Sequence, residues 1–165
     1  MCGLAGIIAG SGQTEGMLRS QISQMIKALH HRGPDREAVW IGEGVALGHQ
    51  RLSIIDLSDA GAQPMVSACG RYVIAYNGEI YNHLALRDML AAEGAAPSWC
   101  GHSDTETLLA GIAHWGLDET LCKTRGMFAI ALLDRQRGRL SLARDRMGEK
   151  PLYWGWAGKA LVFGS

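Results

Sequence analysis

A chain of 165 residues with 47% hydrophobic and 19% charged positions suits one globular domain with a substantial core and excludes a disordered chain. Its net charge of +0 gives no electrostatic case for nucleic acid or for a membrane surface as partner. No apolar run approaches the ~20 residues of a bilayer span, and no basic stretch precedes the short, glycine-broken apolar start, so neither a span nor a secretory signal is expected and the cytoplasm is the default compartment.

Residues 2–9, CGLAGIIA, are short and apolar and stop at Gly10, the pattern of a buried strand. Leu18, Ile22, Met25, Ile26 and Leu29 recur at helical spacing and predict an amphipathic helix over 15–30. HRGPD at 31–35 breaks it, because Pro34 disfavours helix at the residue before it. Two strand-like pieces follow at 37–43 and 45–55, and DLSDAGAQP at 56–64 is loop by composition. RYVIAYNGEIYN at 71–82 predicts a strand, a turn at Asn77-Gly78 and a second short strand, since Asn-Gly between β-formers is a hairpin signal. A helix over 83–92 is stopped by Gly94, and another over 103–116 is capped by Ser103 or Asp104. Strands at 126–134 and 139–145 precede a last hairpin, PLYWGWAGKALVFGS. This mixed order predicts α+β layers rather than a repeating βαβ pattern. The chain stops at LVFGS without a polar tail, as a piece of a longer protein would.

Cys2, Cys69, Cys100 and Cys122 are widely and irregularly spaced, with no CxxC pair, and the histidines form no HExxH or comparable spacing. No metal site is expected, and in a reducing compartment the thiols stay free. Cys69, Cys100 and Cys122 are expected as small buried or half-buried apolar residues. Cys2 stands apart through its position directly behind Met1. Taken alone it reads first as an inert thiol on a buried strand. If Met1 were removed, however, the same residue would carry a thiol and an α-amino group whose pKa of about 7.7–8.0 suits a general base, the N-terminal form of the nucleophile-plus-base arrangement.

Other residues supply what an amide-cleaving thiol needs. Asn77 has a side-chain amide, and Gly78 a backbone N–H that a substrate can approach because no Cβ intervenes, so NGE at 77–79 offers donors for a developing oxyanion. Arg51 could grip a carboxylate and Asp104 an ammonium. Each has an ordinary alternative: a hairpin turn, a surface charge, a helix cap.

Taken together, MCGLAGI, HHRGPD, GHQRLSIIDL, GAQPM, NGEIYN, SDTETLL, GMFAIALLD and ARDRMGEKPLYWG resemble, in order and across the whole chain, the glutaminase domain of asparagine synthetase (glutamine-hydrolysing) and related class II glutamine amidotransferases. The resemblance implies an N-terminal-nucleophile hydrolase fold, a four-layer α/β/β/α sandwich of two antiparallel sheets, as one amidotransferase domain over residues 1–165. It implies removal of Met1, attack by Cys2 on the side-chain amide of L-glutamine, a γ-glutamyl thioester, and hydrolysis to glutamate and ammonia. Asn77 and Gly78 match the oxyanion hole, and Arg51 the residue that holds the substrate carboxylate. Gly78, Glu79 and Asp104 match the group that binds the rest of the substrate, and Leu52, Ser53, Ile54 and Ile55 the segment whose backbone lines the pocket. No cofactor is implied here; ATP and Mg²⁺ belong to a C-terminal synthetase domain of the same chain, which would receive the ammonia. NGEIYN points to the asparagine-synthetase branch, which also holds amidotransferases acting on sugar acids in glycans. The acceptor, a homodimer, and a non-catalytic glutamine-binding or regulatory module stay open.

Overall fold

Two antiparallel sheets stack face to face in the computed structural model, which describes residues 2–52 and 58–165. The first sheet holds β1 (Gly3–Ile8), β2 (Arg36–Gly42), β3 (Val45–Arg51), β8 (Tyr153–Ala157) and β9 (Ala160–Gly164), in the order β2-β3-β1-β9-β8. The second holds β4 (Met65–Val66), β5 (Tyr72–Ile80), β6 (Gly126–Asp134) and β7 (Arg139–Arg144), in sequence order. Alternation along the strands sends Leu4, Leu47 and Phe163 of one sheet against Val73, Ala75, Ala131 and Leu133 of the other, and this apolar layer joins the sheets.

Helices cover both outer faces. α1 (Glu15–Ala28) lays Leu18, Ile22 and Ile26 on Ala5, Ile7 and Ala46 of the first sheet. The Thr14 hydroxyl accepts from the Met17 N–H at 3.3 Å and caps its start. α2 (His83–Ala92) and α3 (Asp104–Trp115) lay Leu86, Leu108 and Ile112 on Ile74, Ile80 and Ile130 of the second sheet. A seven-residue α4 (Leu117–Lys123) packs beside α3; it is too short to stand out from the sequence pattern. The layers therefore run α/β/β/α, the α+β sandwich expected.

One predicted element differs. Asn77-Gly78 makes no turn: β5 runs unbroken from Tyr72 to Ile80, and Asn77 pairs with Ala129 and Gly78 with Phe128 in mid-ladder. The nine-residue partner β6 offers a rung to every residue of β5, and that pairing outweighs the local turn preference of the dipeptide. The predicted strand over 45–55 is seen as β3 as far as Arg51; residues 53–57 lie outside the described residues. Among the described residues no helix is long and apolar enough to cross a membrane.

Candidate active site

Four separate stretches meet at one cavity where the ends of the two sheets come together. Cys2 enters just before β1, Arg51 closes β3 and Leu52 follows it. Asn77, Gly78 and Glu79 sit on β5, and Asp104 opens α3; all seven line the cavity. Ser53, Ile54 and Ile55, expected on the same wall, lie outside the described residues, as does Met1.

The thiol is held from two sides. The Leu52 N–H donates to Cys2 Sγ at 3.4 Å, and the Leu52 carbonyl lies 3.5 Å from the sulfur, where it accepts from the protonated thiol. Arg32 Nε donates to the Cys2 carbonyl at 3.2 Å and fixes the backbone behind it. Cys2 is half-buried, open enough for a ligand to reach, whereas Cys69, Cys100 and Cys122, expected buried or half-buried, are exposed.

Arg51 is no surface charge: its side chain is buried, and Nη1 donates to the Ser58 carbonyl at 2.9 Å. Asp104 is no helix cap either. Ser103 caps α3, its hydroxyl accepting from the Thr105 N–H at 3.1 Å, while the Asp104 carboxylate turns back to β5. There Oδ2 accepts from the Tyr76 hydroxyl at 2.7 Å and from the Ile80 N–H at 2.9 Å. Burial first, and then the adjacent Asp104 charge, push the Tyr76 phenol well above its ordinary pKa, so Tyr76 stays a donor.

Asn77 is buried, and its Nδ2 donates to Ser165 Oγ at 2.8 Å. An amide NH₂ has two N–H bonds, so a second remains for a ligand. At Gly78 the reason for glycine differs from the one read in the sequence. A Cβ there would stand 2.2 Å from the Met127 carbonyl oxygen, so it is the β6 backbone, not a substrate, that leaves no room for a side chain.

The cavity thus carries a cation, Arg51, and two carboxylates, Glu79 and Asp104, around a thiol, with a buried amide beside it. Its wall also includes Gln63, Tyr76, Thr105 and the buried Lys150, none of which the sequence singled out. Tyr76 adjoins Asn77 and Thr105 adjoins Asp104, so they could have been suspected as neighbours. Gln63, Lys150 and the Ser165 contact are brought in only by long-range folding.

A family model described as the glutamine amidotransferase domain matches residues 1–165. The chain belongs to this family. The amidotransferase domain is 34% identical, over its full length, to a putative asparagine synthetase [glutamine-hydrolyzing] 2 of Methanocaldococcus jannaschii, of which it covers 34%. It is 39% identical, again over its full length, to asparagine synthetase [glutamine-hydrolyzing] 1 of Bacillus subtilis, of which it covers 26%. The chain spans between a quarter and a third of the length of these relatives. Its fold matches a solved glutamine phosphoribosylpyrophosphate amidotransferase from B. subtilis, complexed with ADP and GMP, with a TM-score of 0.80 over 99% of this chain and 41% of that one. At 21% identity this likeness concerns the fold alone, and it supports the N-terminal-nucleophile architecture.

Proposed function

We propose that this domain hydrolyses L-glutamine to glutamate and ammonia through a thioester on Cys2, once Met1 is removed. The observation that carries the reading is the convergence of Cys2, Arg51, Asn77 and Asp104 on one cavity, from positions far apart in the chain. A free amino acid is a zwitterion, and a buried cation and a buried carboxylate in the same cavity match its two charged ends. Arg51 holds the α-carboxylate, and Asp104 with Glu79 holds the α-ammonium. The side-chain amide then points at the sulfur.

The α-amine of Cys2 takes the thiol proton, and Sγ attacks the amide carbon. The oxyanion is met by the second N–H of Asn77 and by the Gly78 N–H. The C–N bond breaks, the same amine returns its proton to the leaving nitrogen, and ammonia departs. Water then cleaves the thioester to glutamate. Glutamine and water go in, glutamate and ammonia come out, and the balance calls on no cofactor in this domain. The asparagine-synthetase names of the relatives, and their greater length, support ammonia delivery to an ATP-dependent synthetase domain of the same protein. A sugar acid in place of aspartate as acceptor would use the same glutaminase chemistry.

The test is capture of the thiol by an electrophilic glutamine analogue. Protein with Cys2 as its first residue should be labelled at Cys2 alone, glutamine should protect it, and Cys2→Ala should take no label. A protein that binds glutamine but is never labelled would be a binding module and would overturn the reading.

A further inference from the structure

We infer that Gln63 and His49 are positioning residues that fix the spacing between the oxyanion end and the amine end of the cavity, acting through Tyr76; this rests on the glutaminase reading above. Among the described residues β4 pairs with β5 only at Met65↔Ile74 and Val66↔Val73, so beyond Ile74 no described strand lies beside that edge of β5. Tyr76 lies in this stretch and is buried, where an unmet backbone N–H or C=O is costly. Two side chains from elsewhere replace the missing strand. Gln63 Oε1 accepts from the Tyr76 N–H at 2.7 Å, and His49 Nε2 lies 3.0 Å from the Tyr76 carbonyl oxygen.

The chemistry fixes the tautomer of His49. A carbonyl only accepts, so Nε2 carries the proton and donates. Its Nδ1 is buried and has no partner among the described residues. Gln63 reaches further: its Nε2 donates to Thr105 Oγ1 at 3.2 Å. One amide therefore ties β5 at Tyr76 to the first turn of α3 at Thr105. The Tyr76 hydroxyl ties the same two elements at Asp104.

Tyr76 is thus gripped at its N–H, its C=O and its O–H. The peptide whose carbonyl His49 holds is the one whose nitrogen belongs to Asn77. Releasing that carbonyl leaves this peptide held only from the β6 side, through Asn77, so it can tilt and shift Asn77 and Gly78 relative to the oxyanion, while Asp104 remains on α3. Neither Gln63 nor His49 need touch the reacting atoms, and Cys2, just before β1, lies outside the clamp.

The experiment compares His49→Leu with His49→Gln in the full-length protein with Met1 removed. Gln can place an N–H where Nε2 stood; Leu cannot. We expect His49→Leu to lower kcat by about 10–100-fold, the scale of a displacement near 1 Å. His49→Gln should restore most of it. The rate at which iodoacetamide modifies Cys2, followed by peptide mass spectrometry, should match wild type in both, because the thiol's own partners are intact. A His49→Leu protein with lowered melting temperature but wild-type kcat and KM, or a loss that His49→Gln leaves unrepaired, overturns the inference. If His49→Leu does not fold, Thr105→Val carries the test, since it only releases Gln63 Nε2: a lower kcat supports the clamp and an unchanged one removes it. Wild-type protein without glutamine turnover would remove the glutaminase reading itself, a result separate from any of these.

Discussion

At Asp104, charge and hydrogen bonding can be separated. Asp104→Asn keeps an oxygen for the Tyr76 hydroxyl and the Ile80 N–H but removes the negative charge from the cavity. KM for glutamine should rise at least tenfold, with kcat less affected, because the contact is made in ground and transition states alike. Arg51→Ala should also act mainly on KM. Asn77→Ala should instead cost about 10²–10³ in kcat, the usual loss of one oxyanion donor, and steady-state kinetics of the three variants would show the split. These residues were legible in the sequence as chemistry: a thiol behind Met1, an amide, a cation and a carboxylate. Their environment was not. Nothing local to Arg51 or Asp104 says that they are buried, and nothing local to Asn77 says that its amide meets Ser165, because those partners arrive from 7 to 88 residues away along the chain.

At the scale of elements, the sequence pattern placed nearly every strand and helix, because each has an apolar face of the right period: Leu18, Ile22 and Ile26 on α1, Val73 and Ala75 against Ile74 and Tyr76 on the two faces of β5. It misread Asn77-Gly78. A turn preference belongs to a few residues, whereas the decision came from β6, whose pairing keeps both residues extended. The same pairing makes Gly78 a sensitive position. Gly78→Ala would press a methyl group onto the Met127 carbonyl, and should cost about 1–3 kcal/mol of stability by forcing β5 and β6 apart, together with activity. Thermal melting and a glutaminase assay on the same sample would show both losses.

The whole molecule puts its site at the margin between two sheets, and its stability rests on the same junction. Phe163 fills the layer between the sheets, and Phe163→Ala should cost about 3–5 kcal/mol in denaturant unfolding. His49 gives this junction a pH dependence. Burial, helped by the Arg51 charge and opposed by the Tyr76 carbonyl, lowers its pKa from 6.5 to about 4. The unfolded chain takes up a proton near pH 6.5 that the folded one refuses until about pH 4, so the stabilisation is complete above 6.5 and falls away between those values. Melting temperature should drop over that window by more in wild type than in His49→Gln. The layered architecture was legible in the order of elements and in the motifs spread along the chain. The stitching of β5 by Gln63 and His49 was not, since it exists only once both sheets and α3 are assembled.

The central claim, that Cys2 is a nucleophile working on glutamine, is tested most directly by product release. Protein whose mass shows that Met1 is gone should release glutamate and ammonia from glutamine in equal amounts, and Cys2→Ala, folded and melting as wild type does, should release neither. Glutamate release no greater than that of the Cys2→Ala protein would contradict the account.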